Sequence, residues 1–103
     1  MSSLSEIYFN YNKAIEQANQ LDDIVKRLNN AANQDMEKIL STVNSAWKSD
    51  SAPVYIKKGQ KVENDMLTTA NNIKNIAGTI RTIAKRVLDA ELEAWRIANE
   101  RKE

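Results

Sequence analysis

Apolar residues recur along the first half of the chain at alternating steps of four and three. The series runs through Ile7, Tyr11, Ala14, Ala18, Leu21, Val25, Leu28 and Ala32, and continues through Met36, Ile39, Val43 and Ala46. This spacing is a heptad seam on one face of an α-helix, whereas a half-buried strand would alternate every second residue. Two consecutive steps of four around Ala32 shift the phase beside Asn29, Asn30 and Asn33, so we expect a bend or a frayed spot there.

The second half repeats the same spacing without interruption. Its series is Tyr55, Gly59, Val62, Met66, Thr69, Ile73, Ile76, Ile80, Ile83, Val87, Ala90, Ala94 and Ile97. Isoleucine and valine are mild helix disfavourers, so packing must override local propensity in this helix. The Ile73 to Ile83 run is either a partner-specific face or the seam within the chain. Gly59 either permits close helix approach or merely weakens its helix.

Between the halves, residues 47–53 read Trp-Lys-Ser-Asp-Ser-Ala-Pro. Ser49, Asp50 and Ser51 are good N-cap residues, and Pro53 is tolerated in a first helical turn. A short turn makes the flanking helices antiparallel. The sequence therefore predicts an all-α fold, a single antiparallel two-helix hairpin over residues 1–103. Its first helix covers about 4–46, its turn about 47–51 and its second helix about 52–100.

The apolar stripe is wider than a two-helix seam requires. Beside the seam lie Tyr8, Ile15, Leu40, Trp47, Leu67, Ala70, Ala77, Ala84, Leu88 and Trp95. About three apolar positions per heptad suit a four-helix bundle, so we expect the hairpin to pair into one with another copy or a different partner. The predicted partner interface consists of Leu21, Val25, Leu28, Ile39, Val43, Met66, Ile73, Ile76, Ile80, Ile83 and Val87.

The composition argues against catalysis. The chain contains no cysteine and no histidine, and its two glycines form no phosphate-binding loop. Thiolate nucleophiles, the usual general base and the commonest metal ligands are therefore missing. We expect no enzymatic activity, no catalytic residue, no cofactor and no metal.

The charge pattern points away from nucleic acid and membranes. Fifteen basic and fourteen acidic residues leave a net charge of +1, which gives no basic footprint for nucleic acid. Lysine clusters such as Lys57, Lys58 and Lys61 are docking patches or, more simply, solvated faces. No apolar run approaches the ~18 residues of a membrane span, and we expect no Sec-type signal peptide at the N-terminus.

A helical hairpin of this length with tryptophan at its elbow resembles the WXG (Trp-X-Gly, ESAT-like) family of small proteins of bacterial type VII secretion. The local match is Trp47-Lys48-Ser49, followed by Ser51, Ala52 and the aromatic Tyr55. These elbow residues are the candidate motif, in which Trp47 is a secretion-recognition element or an aromatic plug. Ser49 stands where the family has its name-giving glycine.

The family's export signal, Tyr-x-x-x-Asp/Glu near the C-terminus, has no clean counterpart. The candidate tail-recognition residues are Trp95, with Asn99 at the required place, and Glu100 one residue late. A slip of one residue rotates a side chain by ~100° on a helix. Trp95 either extends the stripe or replaces the missing tail aromatic.

The resemblance implies a secreted substrate, or a targeting partner of a larger effector, that leaves the cell by the type VII route without a cleavable signal peptide. The implied partners are another hairpin in a homodimer or heterodimer, or the helical N-terminal domain of a secreted toxin such as the LXG toxins. The secretion ATPase is a further candidate partner. The alternatives are a retained cytoplasmic adaptor, and a cytoplasmic structural or regulatory coiled coil unrelated to secretion.

Overall fold

The computed structural model describes residues 3–47 and 50–101, and these are helical almost throughout. Helix α1 spans Leu4–Asn30, a π-helical turn spans Ala31–Asp35, α2 spans Met36–Ala46 and α3 spans Ala52–Arg101. No strand occurs within the described ranges. The predicted all-α fold with two long helical stretches is confirmed. Of the predicted turn, Lys48 and Ser49 lie outside the described residues.

Hydrogen bonds from or to the flanking residues satisfy free backbone groups at the ends of the helices. The Ser3 Oγ accepts a hydrogen bond from the Glu6 backbone N–H at 3.2 Å, which satisfies one free donor of the first turn of α1. At the end of α2, Trp47 is extended (φ −96°, ψ 114°), and its N–H donates to the Val43 carbonyl. The Ser51 carbonyl accepts the Tyr55 N–H at 3.1 Å and so opens α3.

The contacts of the chain divide it into two compact units, which are described separately. The terminal unit combines 3–21 with 75–101, and the elbow unit combines 22–47 with 50–74. In each unit a segment of the first half packs against a segment of α3. The prediction of one single domain stays a prediction.

In the terminal unit the two helical segments pack antiparallel around small side chains. The Arg81 Nη2 donates to the Asn19 Oδ1 at 2.8 Å, and Ile7 lies beside Ala84 and Leu88. By this register Ala18 falls opposite Ala77, and neither residue has any exposed surface. The buried apolar residues of this unit are Ile7, Ala18, Ala77, Ala84 and Leu88.

The seam of α3 in the terminal unit is therefore one residue later than the predicted series. Ile76, Ile83 and Val87 are each about half exposed, whereas the next residue in every case, Ala77, Ala84 or Leu88, is buried. We attribute the shift to size, because two helices approach closely where the facing residues are small, and β-branched side chains would hold them apart. The larger side chains consequently remain beside the seam.

In the elbow unit the π-helical turn moves the seam of the first half by one residue. Val25 and Ala32 are buried seven residues apart, but the next buried residue is Leu40, eight further on. A π-helical turn accommodates one extra residue in a helix, and the turn at Ala31–Asp35 lies within this interval. As a result Leu40 is 8% exposed and Ile39 54%. The predicted irregularity is in the right place, and it is a π-helical turn rather than a frayed one.

Close approach of α2 and α3 depends on Gly59. A Cβ atom built on this glycine would overlap the Leu40 Cδ2, and the Leu40 Cγ would lie 3.4 Å away. Leu40 therefore occupies the space that a larger residue at position 59 would need. Of the two readings of Gly59 from the sequence, the structure favours the close helix approach.

Candidate partner-binding surface

The terminal unit carries an apolar groove of about 270 Å³ beside its seam. Ile83 and Val87 of α3 line it together with Tyr11 of α1, and Ile83 is 53% exposed. The remaining lining residues are Ile7, Asn10, Ala14, Ile80, Ala84, Leu88 and Glu91. A row of large apolar side chains beside a closely packed seam is a surface that an amphipathic helix can cover.

The elbow unit carries a second apolar groove, of about 390 Å³. Its walls are formed by α2 and the first turns of α3, and its lining residues are Met36, Ile39, Leu40, Val43, Tyr55, Lys58, Gly59 and Val62. Ile39, Tyr55 and Val62 are all at least half exposed. Gly59 contributes no side chain, and the side chain of Leu40 occupies the space above it.

Trp47 and Tyr55 form an aromatic contact at the elbow. Their ring centroids are 5.1 Å apart and the ring planes meet at 62°, an edge-to-face arrangement that aromatic pairs favour. Trp47 is 45% exposed, so it packs on Tyr55 and also presents a face outward. Ala52 is buried, Ser51 is exposed, and Ser49 lies outside the described residues.

The residues of the predicted partner interface fall into three groups. Val25 is buried and packs within the elbow unit. The half-buried residues are Leu21, Leu28, Val43, Met66, Ile73 and Ile80. The exposed residues are Ile39, Ile76, Ile83 and Val87. Ile80, Ile83 and Val87 meet in the terminal groove, and Ile39 and Val43 meet in the elbow groove.

The candidate tail residues do not form one cluster. Trp95 is half-buried, and its carbonyl accepts a hydrogen bond from the Asn99 Nδ2 at 2.9 Å. Glu100 is exposed and forms an ion pair with Arg96, which also binds Glu93. The Arg96 guanidinium donates a hydrogen bond to Glu93 and thereby lowers the pKa of that carboxyl group. Glu100 is thus engaged within α3.

Ion pairs also line the exposed side of α3. The Lys85 Nζ lies 2.9 Å from the Asp89 Oδ1, and this hydrogen bond raises the pKa of Lys85. The Lys61 Nζ lies 3.3 Å from the Asp65 Oδ2. All four side chains are more than half exposed, and such pairs add little to stability. None of these four side chains lines either apolar groove.

Sequence reasoning missed a pair of carboxyl groups between α2 and α3. Glu63 is half-buried, and its pKa is raised by desolvation, by the charge of Glu37 and by a hydrogen bond with Glu37. The Glu63 Oε2 atom is buried without a hydrogen-bond partner. Glu63 lies seven residues after Ile56 and seven before Ala70, both of which turn inward. This charged residue within an apolar heptad series was the available signal.

The site offers shape and apolar surface rather than reactive groups. Among residues 3–47 and 50–101, no three acidic side chains lie together as a metal would require, and no helix is both long and apolar enough to cross a membrane. What the grooves can do is bury the apolar face of another helix.

Comparison of the chain with protein-family models, with characterised proteins and with solved structures gave no match.

Proposed function

We propose that the chain is a small helical-hairpin protein of a type VII secretion system. It is either a secreted substrate or the targeting partner of a larger effector, and it acts by pairing its apolar grooves with another helical protein. The single observation that carries the pairing is the row of large apolar side chains left exposed beside the buried seam of the terminal unit. Ile83 and Val87 are about half exposed, next to the buried Ala84 and Leu88.

A partner would gain free energy by burying the apolar side chains of the two grooves. Burial of apolar surface contributes roughly 25 cal/mol per Å² before the costs of association. A stable interface takes about 800 Å² from each partner. Each groove already presents side chains at the spacing that a helix can interleave with, so little rearrangement is needed on binding. Apolar residues scattered singly over a surface are ordinary, whereas contiguous rows of them mark interaction surfaces.

The secretion setting is supported by the elbow. A generic coiled coil has no reason to place tryptophan at the end of one helix and a tyrosine at the start of the next. Here Trp47 packs edge-to-face on Tyr55 and keeps a face outward. That arrangement fits the resemblance of the Trp47 to Tyr55 segment to the Trp-X-Gly elbow. The proposed partners are another small hairpin or the helical N-terminal domain of a secreted toxin.

Pairing is tested with a charged residue placed in the terminal groove. Ile83→Asp should weaken partner binding roughly 30-fold or more, the effect of losing about 2 kcal/mol at a central contact. Phe9→Asp is the matched control, because Phe9 is 64% exposed in the same unit and lies outside the groove. Binding is measured on the complex purified after co-expression of the native operon. Equal binding by the two variants would exclude the terminal groove as the interface.

Export is tested separately in the source bacterium. We expect the chain, or the protein that co-purifies with it, in the culture medium of cells with an intact secretion ATPase and not in that of cells lacking it. If neither protein leaves the cell in this way while pairing persists, the chain is a cytoplasmic coiled-coil interaction protein and the secretion proposal is wrong.

A further inference from the structure

The apolar groove of the elbow unit adjoins a second hollow whose lining is cationic. This hollow, of about 500 Å³, lies on α3 and is lined by Lys57, Lys58, Gln60, Lys61 and Asn64. Lys58 also lines the elbow groove, where it is the only described lining residue that carries a charge. Of the described residues that line the two cavities, none is acidic. An apolar groove and a positively charged flank therefore lie side by side in the elbow unit.

Lys57 and Lys58 have no acidic partner in the described part of the chain. Neither lysine has an acidic residue three or four positions away on α3, where an ion pair within the helix would form. Neither forms an ion pair with another described residue. Lys61, by contrast, lies 3.3 Å from Asp65. Two positive charges beside the elbow groove are therefore available to acidic groups from outside the chain.

The shape of the elbow groove favours a helix as its occupant. The walls are formed by α2 and α3, and Ile39, Tyr55 and Val62 are at least half exposed along them. A groove between two helices accepts the apolar side of a third helix, whereas a bilayer presents a flat surface. An occupant that covers these side chains and also reaches Lys57 and Lys58 carries acids beside its apolar stripe.

A second copy of the chain is a poorer match for the two lysines. Its densest run of acids, residues 89–93, contains Asp89, Glu91 and Glu93. Asp89 and Glu93 already form ion pairs with Lys85 and Arg96. Binding through these two acids would exchange one exposed ion pair for another, and exposed pairs contribute little. The charge pattern therefore favours a different protein whose acids are unpaired.

We propose that the elbow groove docks an amphipathic helix of a partner protein that carries acidic residues along one side of its apolar stripe. The stripe is buried against Ile39, Tyr55 and Val62, and the acids lie against Lys57 and Lys58. The inference rests on the proposed pairing function and adds the chemistry of the partner. The two lysines contribute selectivity and association rate more than affinity, as charges at the rim of an interface do.

The test uses synthetic helical peptides as probes of the full-length chain. Three peptides share one stripe of leucines at helical spacing and carry glutamate, glutamine or lysine beside it. The glutamate peptide should bind about 10-fold tighter than the lysine peptide at low salt, with the glutamine peptide between them. The difference should shrink at about 0.5 M salt, because salt screens exposed charges. A glutamate peptide with its leucines dispersed around the helix should not bind. Fluorescence anisotropy measures all four.

Charge reversal on the chain supplies the matched comparison. Lys57→Glu/Lys58→Glu should reverse the preference, so that the lysine peptide binds tighter than the glutamate peptide. Lys38→Glu/Lys74→Glu makes the same change in net charge at two exposed positions of the elbow unit that line neither cavity, and it should keep the wild-type order. Ile39→Asp should abolish binding of the glutamate peptide. The comparison of the peptides on the wild-type chain needs no variant, so it tests the proposal even if a variant does not fold.

The same variants separate this inference from the proposed function. If Ile39→Asp weakens binding of the co-purified partner and Lys57→Glu/Lys58→Glu does not, the pairing stands and the acidic partner is refuted. Equal binding of the glutamate and lysine peptides refutes it as well. Two other results would assign the groove to another occupant. One is binding of phosphatidylglycerol-phosphatidylcholine vesicles without binding of the glutamate peptide, and the other is self-association of the free chain that Ile39→Asp abolishes. Export does not enter the test, so a failed export experiment leaves the inference intact.

Discussion

The terminal unit and the elbow unit use the same helix pairing, but they differ in how completely their polar groups are satisfied. In the terminal unit several charged side chains of α3 form ion pairs, such as Lys85 with Asp89 and Arg96 with Glu93. The elbow unit contains a π-helical turn and a close contact between Gly59 and Leu40. It also contains the buried Glu63 Oε2 atom, which has no hydrogen-bond partner. Local irregularities of this kind mark the parts of a protein that open at low free energy.

This difference suggests that the terminal unit is the more rigid of the two and that the elbow unit opens more easily. A helix pair that contains a π-helical turn and a buried carboxylate oxygen without a partner gains less from closing, so its opening free energy should be smaller. Partner binding or pH can therefore bias the elbow unit more readily than the terminal unit.

The largest expected effect comes from removing one buried leucine from each unit. Leu40→Ala and Leu88→Ala should each cost about 2–3 kcal/mol of unfolding free energy, because each residue is more than nine-tenths buried. Hydrogen exchange should show faster opening confined to the elbow unit in the first variant and to the terminal unit in the second. If either change accelerates exchange throughout the chain, the two units unfold together and the contrast between them is wrong.

A comparable effect on binding should distinguish the two grooves. Ile39 and Ile83 are matched in exposure, at 54% and 53%. If a partner covers both grooves, Ile39→Asp and Ile83→Asp should each weaken binding by roughly 30-fold, which corresponds to about 2 kcal/mol. Titration calorimetry with the co-purified partner measures both. A loss with Ile83→Asp alone would restrict the interface to the terminal unit.

The two glycines should respond to alanine with opposite signs. A Cβ on Gly78 would meet no heavy atom within 4 Å among the described residues, so Gly78→Ala should stabilise α3 by about 1 kcal/mol through helix propensity. Gly59→Ala should instead destabilise the chain by about 1 kcal/mol, because overlap with Leu40 outweighs the same gain. Thermal melting measures both.

Leu40→Ala supplies the internal check on this contrast. In that background the overlap is removed, and Gly59→Ala should become stabilising, as a double-mutant cycle would show. If Gly59→Ala stabilises the wild-type chain as much as Gly78→Ala does, the approach of α2 to α3 is looser than described.

The smallest effect concerns acid and the terminal unit. The pKa of Glu93 is lowered because Arg96 donates a hydrogen bond to it. Its contribution is therefore present above the ordinary glutamate value and is lost as the pH falls through the lowered one. Circular dichroism of Glu93→Gln should show a slight loss of helicity at neutral pH that shrinks on acidification. The pKa of Glu63 is raised instead, mainly by desolvation. Acid therefore acts on Glu93 and Glu63 in opposite directions, and a common direction would contradict the comparison.

The helical fold follows from the sequence because a spacing of three and four over dozens of residues has no β-like interpretation. The series Ile73, Ile76, Ile80 and Ile83 defines a helix unambiguously, but it does not determine which side of the stripe faces the other segment. That choice depended on close packing of Ala77 and Ala84, and side-chain volume is not visible in an apolar or polar pattern.

The elbow unit was harder to predict, for a different reason. The two steps of four around Ala32 indicated a phase shift, but a stutter can be absorbed by a bend, by unwinding or by a π-helical turn, and the sequence does not select among them. The inward position of Glu63 could have been inferred once Ile56 and Ala70 were assigned to the seam. That assignment needed the register that Gly59 and Leu40 establish.

The π-helical turn at Ala31–Asp35 absorbs one extra residue without changing which face of α2 turns inward. Deleting one amino acid between Ala32 and Leu40 would place these two buried residues seven apart, the spacing of a regular α-helix, so Leu40 would still be buried and Ile39 would still be exposed. Rewinding the turn into α-helix with its sequence unchanged would instead rotate α2 by ~100°, which would bury Ile39 and expose Leu40. A change in one helical turn could therefore give the same sequence a second outer surface, without replacing any of the side chains that form it.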